Sequence, residues 1–365
     1  MGVVPKNTGS GAQVRIFTNI CAYADLGYQV EVILFLDNLD ADIPDYLLAL
    51  SVKFTIINCV KADQSKRDRI GYLFGWPKNR VLNWLFPIRK YVRVEIEKRI
   101  VLNTNAIHHF EYLDIASAAL GFDGFFIYSN HDLVSDRYLK IESERGTIAK
   151  RKSLLIRYYK YYQLRRAERW ITSANKIVLT ISEDDRVSYK NRIRKGIFKL
   201  LPCSWPDESA IIRSRDWIEN DIIKILHLGS LNSMIPYSSL KFILTKLFKN
   251  LPNEIIDKIQ LLIAGNNPDA PYSNKIKNLA KKYNNVHILG YVEDLNPLFS
   301  SCDLQIVGSQ FSTGIRTRII ESFVRGLPVI STYSAARGIH GLEHKKNIYL
   351  ADKPDHIRNI IESIF

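Results

Sequence analysis

Two doubly wound α/β domains are the fold that this sequence predicts, and three observations carry it. Short β-branched runs alternate with amphipathic stretches of helical period, the pattern of parallel sheets covered on both faces. The alternation comes in two series, divided near Leu201-Pro-Cys-Ser-Trp-Pro206, where two prolines interrupt regular structure. The 365 residues exceed what one hydrophobic core usually serves.

The first series predicts strands at Val30–Leu36, Val52–Asn58, Ala106–Phe110, Phe125–Ser129, Lys176–Ser182 and Ile197–Leu201. The second predicts them at Ile222–Leu228, Ile259–Ala264, Val286–Leu289, Leu304–Val307 and Val329–Thr332. Helical periodicity falls at Gln13–Leu26, Asp184–Arg192, Tyr237–Leu247, Ser273–Tyr283 and Arg316–Arg325. The expected domains are residues 1–203 and 204–352, followed by a C-terminal helix over 353–365. A strand should precede Gly9-Ser-Gly11, yet only Val3 and Val4 stand before Pro5. That first strand is expected to be short or missing, as a start placed too far downstream would leave it.

An apolar content of 46% excludes a disordered chain. Cys21, Cys59, Cys203 and Cys302 are widely spaced, with no CxxC or Cys/His cluster, so the sequence suggests neither structural zinc nor a disulfide framework. A reducing, cytoplasmic setting is expected. No apolar run reaches the roughly 20 residues of a membrane span, and Met1-Gly-Val-Val-Pro-Lys-Asn lacks the apolar core of a signal peptide. The formal charge of +14 predicts an anionic partner: nucleic acid, an acidic membrane or a phosphorylated substrate.

The segment Thr313-Gly-Ile-Arg-Thr-Arg-Ile-Ile-Glu-Ser-Phe-Val-Arg-Gly-Leu-Pro-Val-Ile-Ser-Thr332 reads as a Gly turn, a helix, a Gly stop and a buried strand. A helix N-terminus offers unpaired N–H groups and partial positive charge to a phosphate. Arg316 and Arg318 add fixed charge and planar donors. Glu321, about one turn further in, is placed to accept from a pair of sugar hydroxyls. The plainer alternative is an ordinary helix with Ser312 or Thr313 as N-cap and Gly326 past its end. Ahead of it, Asn285-Val-His-Ile-Leu-Gly-Tyr-Val-Glu-Asp-Leu295 ends a strand at Gly290, and Ser301-Cys-Asp-Leu-Gln-Ile-Val-Gly308 supplies another. Strand ends are where open α/β sheets bind ligands; Glu293 and Asp294 read better as solvated acids.

In this order the three segments resemble those of GT-B glycosyltransferases, most closely glycosyltransferase family 4. The close match runs from about Ile225 to Asp352, with a looser one over the N-terminal half. The resemblance implies GT-B architecture, two Rossmann-like domains facing a central cleft. It implies a C-terminal domain for the nucleotide-sugar and an N-terminal domain for the acceptor. It implies that Glu321 holds the ribose, that Arg318 stands where the family has a Lys near the diphosphate, and that Tyr291 and Val292 border the base. Two departures stand out. Thr313 occupies the place of a common acidic residue eight positions before the ribose Glu, although a sub-group shares this Gly-rich Thr313-Gly314 form. The loop Gly229-Ser-Leu-Asn-Ser-Met234, with Gly229 and Ser230 at the donor, lacks the basic pair many members carry. Arg316 and Arg318 are expected to supply that charge.

Gly9-Ser10-Gly11 with Arg15 resembles the family's N-terminal Gly-rich turn; alternatively it is a flexible loop, and Arg15 either reaches phosphate or is a solvated helix residue. Ser129-Asn-His-Asp132 ends a strand. His131 corresponds to a family His near the donor sugar and is expected to orient sugar or acceptor. Asp132 is a base, a His orienter or a cap. His108, His109 and Glu111, at another strand end, are expected to be structural, and Ser182 to cap a helix.

Residues 145–170 carry Arg145, Lys150, Arg151, Lys152, Arg157, Lys160, Arg165, Arg166 and Arg169 against Glu168 alone, interleaved with Tyr158, Tyr159, Tyr161, Tyr162 and Trp170. Residues 66–99 mix Phe74, Trp76, Trp84 and Phe86 with Lys78, Arg80, Arg89, Lys90 and Arg93. Such stretches suit an anionic membrane surface, each basic residue contributing about 1 kcal/mol; the alternative is a solvated face with its aromatics turned inward.

The reading is a hexosyl-type glycosyltransferase at the cytoplasmic membrane face. It would be retaining and metal-independent, with no metal site and no cofactor beyond its nucleotide-sugar substrate. It would act on a glycan or polyprenyl-linked saccharide in surface polysaccharide biosynthesis. A basic nucleic-acid-binding protein is the alternative from another class, although no nucleic acid is expected as a partner and no RRM, KH, zinc-finger or helix-turn-helix pattern supports it. A sugar-nucleotide epimerase is the alternative on the same fold.

Overall fold

The computed structural model describes residues 3–7, 9–36, 43–50, 52–59, 78–102, 105–144, 151–174, 177–193, 195–206, 222–231, 233–266, 271–311 and 314–363. Thr313 and Ser312, Phe74 and Trp76, and Arg145 and Lys150 lie outside them. The chain divides into two compact units, Met1–Ser204 and Trp205–Phe365.

In the first unit, β1 (Glu31–Leu36) pairs in parallel with β2 (Lys53–Asn58). A second parallel sheet runs β3 (Ile107–Glu111), β4 (Phe125–Asn130), β5 (Ile177–Thr180), β6 (Ile197–Leu200) in spatial order. Residues 3–7 form no strand ahead of α1 (Gly11–Asp25). Further helices are α2 (Asp45–Leu48), α3 (Lys78–Leu85), α4 (Arg89–Leu102), α5 (Leu113–Ala116), α6 (Val134–Glu144), α7 (Arg151–Ala174) and α8 (Glu183–Arg192). Phe110, Phe126, Tyr128 and Val178 of the sheet bury against Leu164, Ala167 and Ile171 of α7 in one core. That spacing is the i, i+3, i+7 stripe of an amphipathic helix. The opposite side exposes Tyr158 and Tyr162.

Glu168, the lone acid of the basic stretch, turns inward. Its two oxygens accept from Ser135 N at 2.9 Å and Ser135 Oγ at 2.7 Å, so a residue of α7 satisfies the first turn of α6. Burial pushes its pKa up to about 7, against the lowering effect of the Ser135 bonds. Ser182 caps α8, its Oγ accepting from Asp185 N at 3.1 Å, so Asp184 and Asp185 are helical.

The second unit is one six-stranded parallel sheet. Its strands are β7 (Ile223–Leu228), β8 (Ile259–Ala264), β9 (Val286–Gly290), β10 (Leu304–Val307), β11 (Val329–Ser331) and β12 (Tyr349–Leu350), in the order β9-β8-β7-β10-β11-β12. The connection therefore reverses between β7 and β10, the topological switch point at which such sheets bind ligands. The strands read as apolar runs because helices cover both faces. These include α9 (Met234–Phe242), α10 (Phe248–Asn250), α11 (Asn253–Ile256), α12 (Pro271–Ala280), α13 (Asn296–Ser301), α14 (Thr317–Val324), α15 (Tyr333–Ala336) and α16 (Pro354–Glu362). Between α9 and α10 the expected single helix widens into a π turn over Ile243–Leu247. Ile357, Ile360 and Ile361 of α16 bury in the same core as Ile225, Leu261 and Ile306.

Candidate functional site

Three strand ends meet at the switch point. Gly229 N donates to Ala264 O at 3.0 Å, and Gly265 N to Gly290 O at 2.7 Å, so β7, β8 and β9 run on into adjacent glycine turns. A Cβ on Gly265 would stand 1.9 Å from Gly229 O, which forbids any side chain there. Sequence reasoning missed Gly265; its only signal was a glycine directly after the apolar strand.

Beneath Gly229 lies the guanidinium of Arg318. Its Nη1 donates to the carbonyl of Leu228, the last residue of β7. A Cβ on Gly229, at φ +154°, would lie 2.7 Å from that same Nη1. Burial lowers the Arg318 pKa to about 9, with the like charge of Arg316 adding and Glu321 opposing, so it stays a cation at neutral pH. Helix α14 carries Arg318 there because Gln305 pins it to β10. Gln305 Nε2 donates to Arg318 O at 3.5 Å, and Ser322 Oγ donates to Gln305 Oε1 at 2.5 Å. The loop entering α14 turns at Gly314, φ +62°, in the left-handed region that favours glycine. Arg316 is the N-cap residue of α14. Leu327 N bonds back to Ser322 O at 2.8 Å beyond Gly326, φ +65°, which ends the helix as its sequence predicts.

Glu321 is 5% exposed. Arg325 Nη2 lies 3.4 Å from its Oε1, and Arg325 is itself buried, stacked 4.7 Å from the Phe299 ring centroid and donating to Asn296 Oδ1. Sequence reasoning did not single out Arg325, which reads as a surface base before a glycine. Glu321 Oε1 has no hydrogen-bond partner among the described residues. Burial pushes the Glu321 pKa up to about 7 in spite of the neighbouring charges of Arg325 and Arg318. A half-satisfied carboxylate beside a buried guanidinium is chemically ready to accept from hydroxyl groups.

On the other side of the switch, Gly308 N donates to Ser239 Oγ at 2.9 Å, and Ser239 Oγ lies 3.0 Å from Nε2 of buried His227. Burial first, then the Arg318 charge, hold His227 neutral with a pKa of about 3. Ser230 is exposed beside Gly229, Tyr291 is 67% exposed past Gly290, and Val292 is half-buried against Leu226 and Leu228. Gly229, Ser230, Gly314, Arg316, Arg318 and Glu321 thus gather at the ends of β7 and β10, with Tyr291 and Val292 at the edge strand β9.

Residues 223–365 match the model of the family Glycosyl transferases group 1. The match covers the second unit. Solved structures extend the fold to the whole chain. HepE of Anabaena, in complex with UDP and glucose, aligns at TM-score 0.66 and 14% identity over 98% of this chain and 87% of its own. Sucrose-phosphate synthase of Thermosynechococcus elongatus aligns at 0.69 and 16% identity over 100% and 86%. A Rickettsia africae glycosyltransferase aligns at 0.61 and 14% over 98% and 85%. No curated protein sequence matches the chain. The fold is GT-B, in two α/β units with parallel sheets.

The first unit has its own polar cluster. Ser10 and Gln13 form a reciprocal cap on α1, with Ser10 N donating to Gln13 Oε1 at 3.1 Å, and Gly9 at φ +112° and Gly11 flank it. Arg15 is not solvated: it is 3% exposed and its Nη1 donates to Leu201 O at 3.1 Å. Its position on the inner face of α1 decides this. Asp132 does not orient His131 either; it pairs with Arg137 at 3.1 Å, one turn into α6. His131 Nε2 instead meets Glu111 Oε2 at 2.8 Å. Glu111 and His109 belong to the same cluster: the register Glu111↔Ser129 puts the ends of β3 and β4 side by side, and His109 Nε2 lies 2.7 Å from Ser129 Oγ.

Proposed function

We propose that this chain is a glycosyltransferase that moves a sugar from a nucleotide-sugar donor to a membrane-associated glycan or polyprenyl-linked saccharide, in the synthesis of a surface polysaccharide. The observation that carries the donor half is the pairing of Arg318 under the β7 turn with the buried, half-satisfied Glu321 one turn along the same helix. In this reading Arg316, Arg318 and the start of α14 take the diphosphate, and Glu321 takes the ribose diol. Tyr291 and Val292 border the base. Positive charge fixed before the reaction stabilises the negative charge that grows on the leaving diphosphate. That term allows transfer without a metal ion, and retention of anomeric configuration follows the family resemblance. UDP and UDP-glucose bound to HepE support a uridine donor. His131 is assigned to the transferred sugar or its acceptor, and the first unit to acceptor recognition.

No described helix is long and apolar enough to cross a membrane. Peripheral association at the cytoplasmic face is supported by α7, which exposes Tyr158 and Tyr162 beside its arginines. Trp170 lies between Arg166 at 4.7 Å and Lys78 of α3 at 5.6 Å.

The test is thermal unfolding of the purified chain with UDP, GDP, ADP or CMP, alongside Glu321→Ala. A ligand that binds only the folded state raises the melting temperature. One nucleotide should do so in the wild type and not in the variant. A folded protein indifferent to all four would remove the donor assignment.

A further inference from the structure

We propose that Glu111 and Tyr112 are positioning residues that lock His131 in one tautomer and one ring orientation, so that its Nδ1 is presented as an acceptor to a sugar hydroxyl. This rests on the reading of His131 as the sugar-facing histidine.

Two side chains, Glu111 and Tyr112, converge on the ring. Glu111 ends β3 and His131 follows β4, and the parallel register aligns Glu111 with Ser129, two residues before His131. The Glu111 carboxylate is held from both sides: Oε2 lies 2.8 Å from His131 Nε2, and Oε1 accepts from Asn19 Nδ2 of α1 at 2.7 Å. Tyr112 stacks on the His131 ring, centroids 4.4 Å apart and planes 12° from parallel. To bring its ring there, the Tyr112 backbone sits at φ +73°. For a bulky non-glycine residue that conformation is strained and persists where surrounding structure enforces it.

The protonation of the pair follows from the carboxylate. Burial alone would push Glu111 up. The His131 bond and the charges of His109, His131 and Arg15 outweigh it and bring the pKa down to about 2. Glu111 is therefore ionised at neutral pH and only accepts, so the proton between them belongs to His131 Nε2. When the ring carries this one proton, Nδ1 is the acceptor, and it has no hydrogen bond among the described residues. A sugar hydroxyl is the matching donor. The other acid at hand, Asp132, is engaged with Arg137 and does not compete.

The test is a long-range proton–nitrogen NMR spectrum of the ¹⁵N-histidine-labelled full-length chain at pH 8, with the His131 signals assigned by their loss in His131→Gln. The wild type should show His131 protonated at Nε2 and bare at Nδ1. Glu111→Gln should lose that preference and give a mixture of tautomers, while Tyr112→Phe, which keeps the stacking ring, should retain it. A wild-type ring protonated at Nδ1, or a Glu111→Gln tautomer identical to wild type, overturns the proposal. The parent reading fails separately: His131→Gln would then leave turnover of a nucleotide-sugar unchanged.

Discussion

Replacing Glu321 with Gln should stabilise the ligand-free protein at neutral and alkaline pH while removing its nucleotide site. The carboxyl is 5% exposed, and burial raises its pKa from 4.5 to about 7. A group harder to ionise folded than unfolded binds its proton more tightly in the folded state. Stability from this group is therefore fully present below pH 4.5 and is lost as pH rises through 7. The gap corresponds to about 3 kcal/mol, accumulating at roughly 1.4 kcal/mol per pH unit. Urea unfolding of the second unit, followed from pH 4.5 to 8.5 in wild type and Glu321→Gln, reads this directly. The difference between the two curves should slope by that amount and favour the variant at the alkaline end. Loss of the Arg325 counter-charge reduces the gain by a constant without removing the slope. With nucleotide at pH 8 the order should reverse, since only the wild type gains binding energy. A difference curve flat with pH would refute the buried, strained carboxylate on which the donor site depends.

Other expectations follow from the same geometry. Gly265→Ala would force its Cβ against Gly229 O, 1.9 Å away, so it should cost about 1–3 kcal/mol of stability and abolish nucleotide-induced thermal shifts. His227, with its pKa held at about 3 by burial, should make the second unit acid-labile. Its contribution is intact above pH 6.5 and lost at about 1.4 kcal/mol per unit below it, and His227→Asn should flatten that limb of a pH–stability curve. Arg166→Glu with Arg169→Glu should weaken sedimentation with phosphatidylserine vesicles at least about tenfold at low salt; unchanged binding would argue against α7 as the membrane face.

Much of the second unit was legible because its strands are apolar β-branched runs bounded by glycine. Ile259–Ala264 and Leu304–Val307 fall where the sequence predicts them. β12, only Tyr349–Leu350, is too short to leave a periodic signal, and the π turn over Ile243–Leu247 has no local marker at all. Arg318 and Glu321 were readable because they share one helix turn with a Gly-rich entry. Arg325 and Gly265 were not, because their roles depend on what lies against them: Asn296 and Phe299 in one case, the Gly229 carbonyl in the other. The same holds for Glu111. Alone it is an acid at a strand end; the pairing of β3 with β4 turns it toward His131 and leaves Asp132 to Arg137.

The most direct measurement is transfer itself. The purified chain would be incubated with radiolabelled UDP-glucose, UDP-galactose, UDP-N-acetylglucosamine or GDP-mannose and a bacterial lipid-linked saccharide extract, with and without chelator, and with Glu321→Ala in parallel. Label from one donor should pass to the saccharide fraction with chelator present, and the variant should transfer none. A folded wild type that moves no sugar from any donor, or a variant as active as wild type, would contradict the assignment of Arg318 and Glu321 to a nucleotide-sugar site.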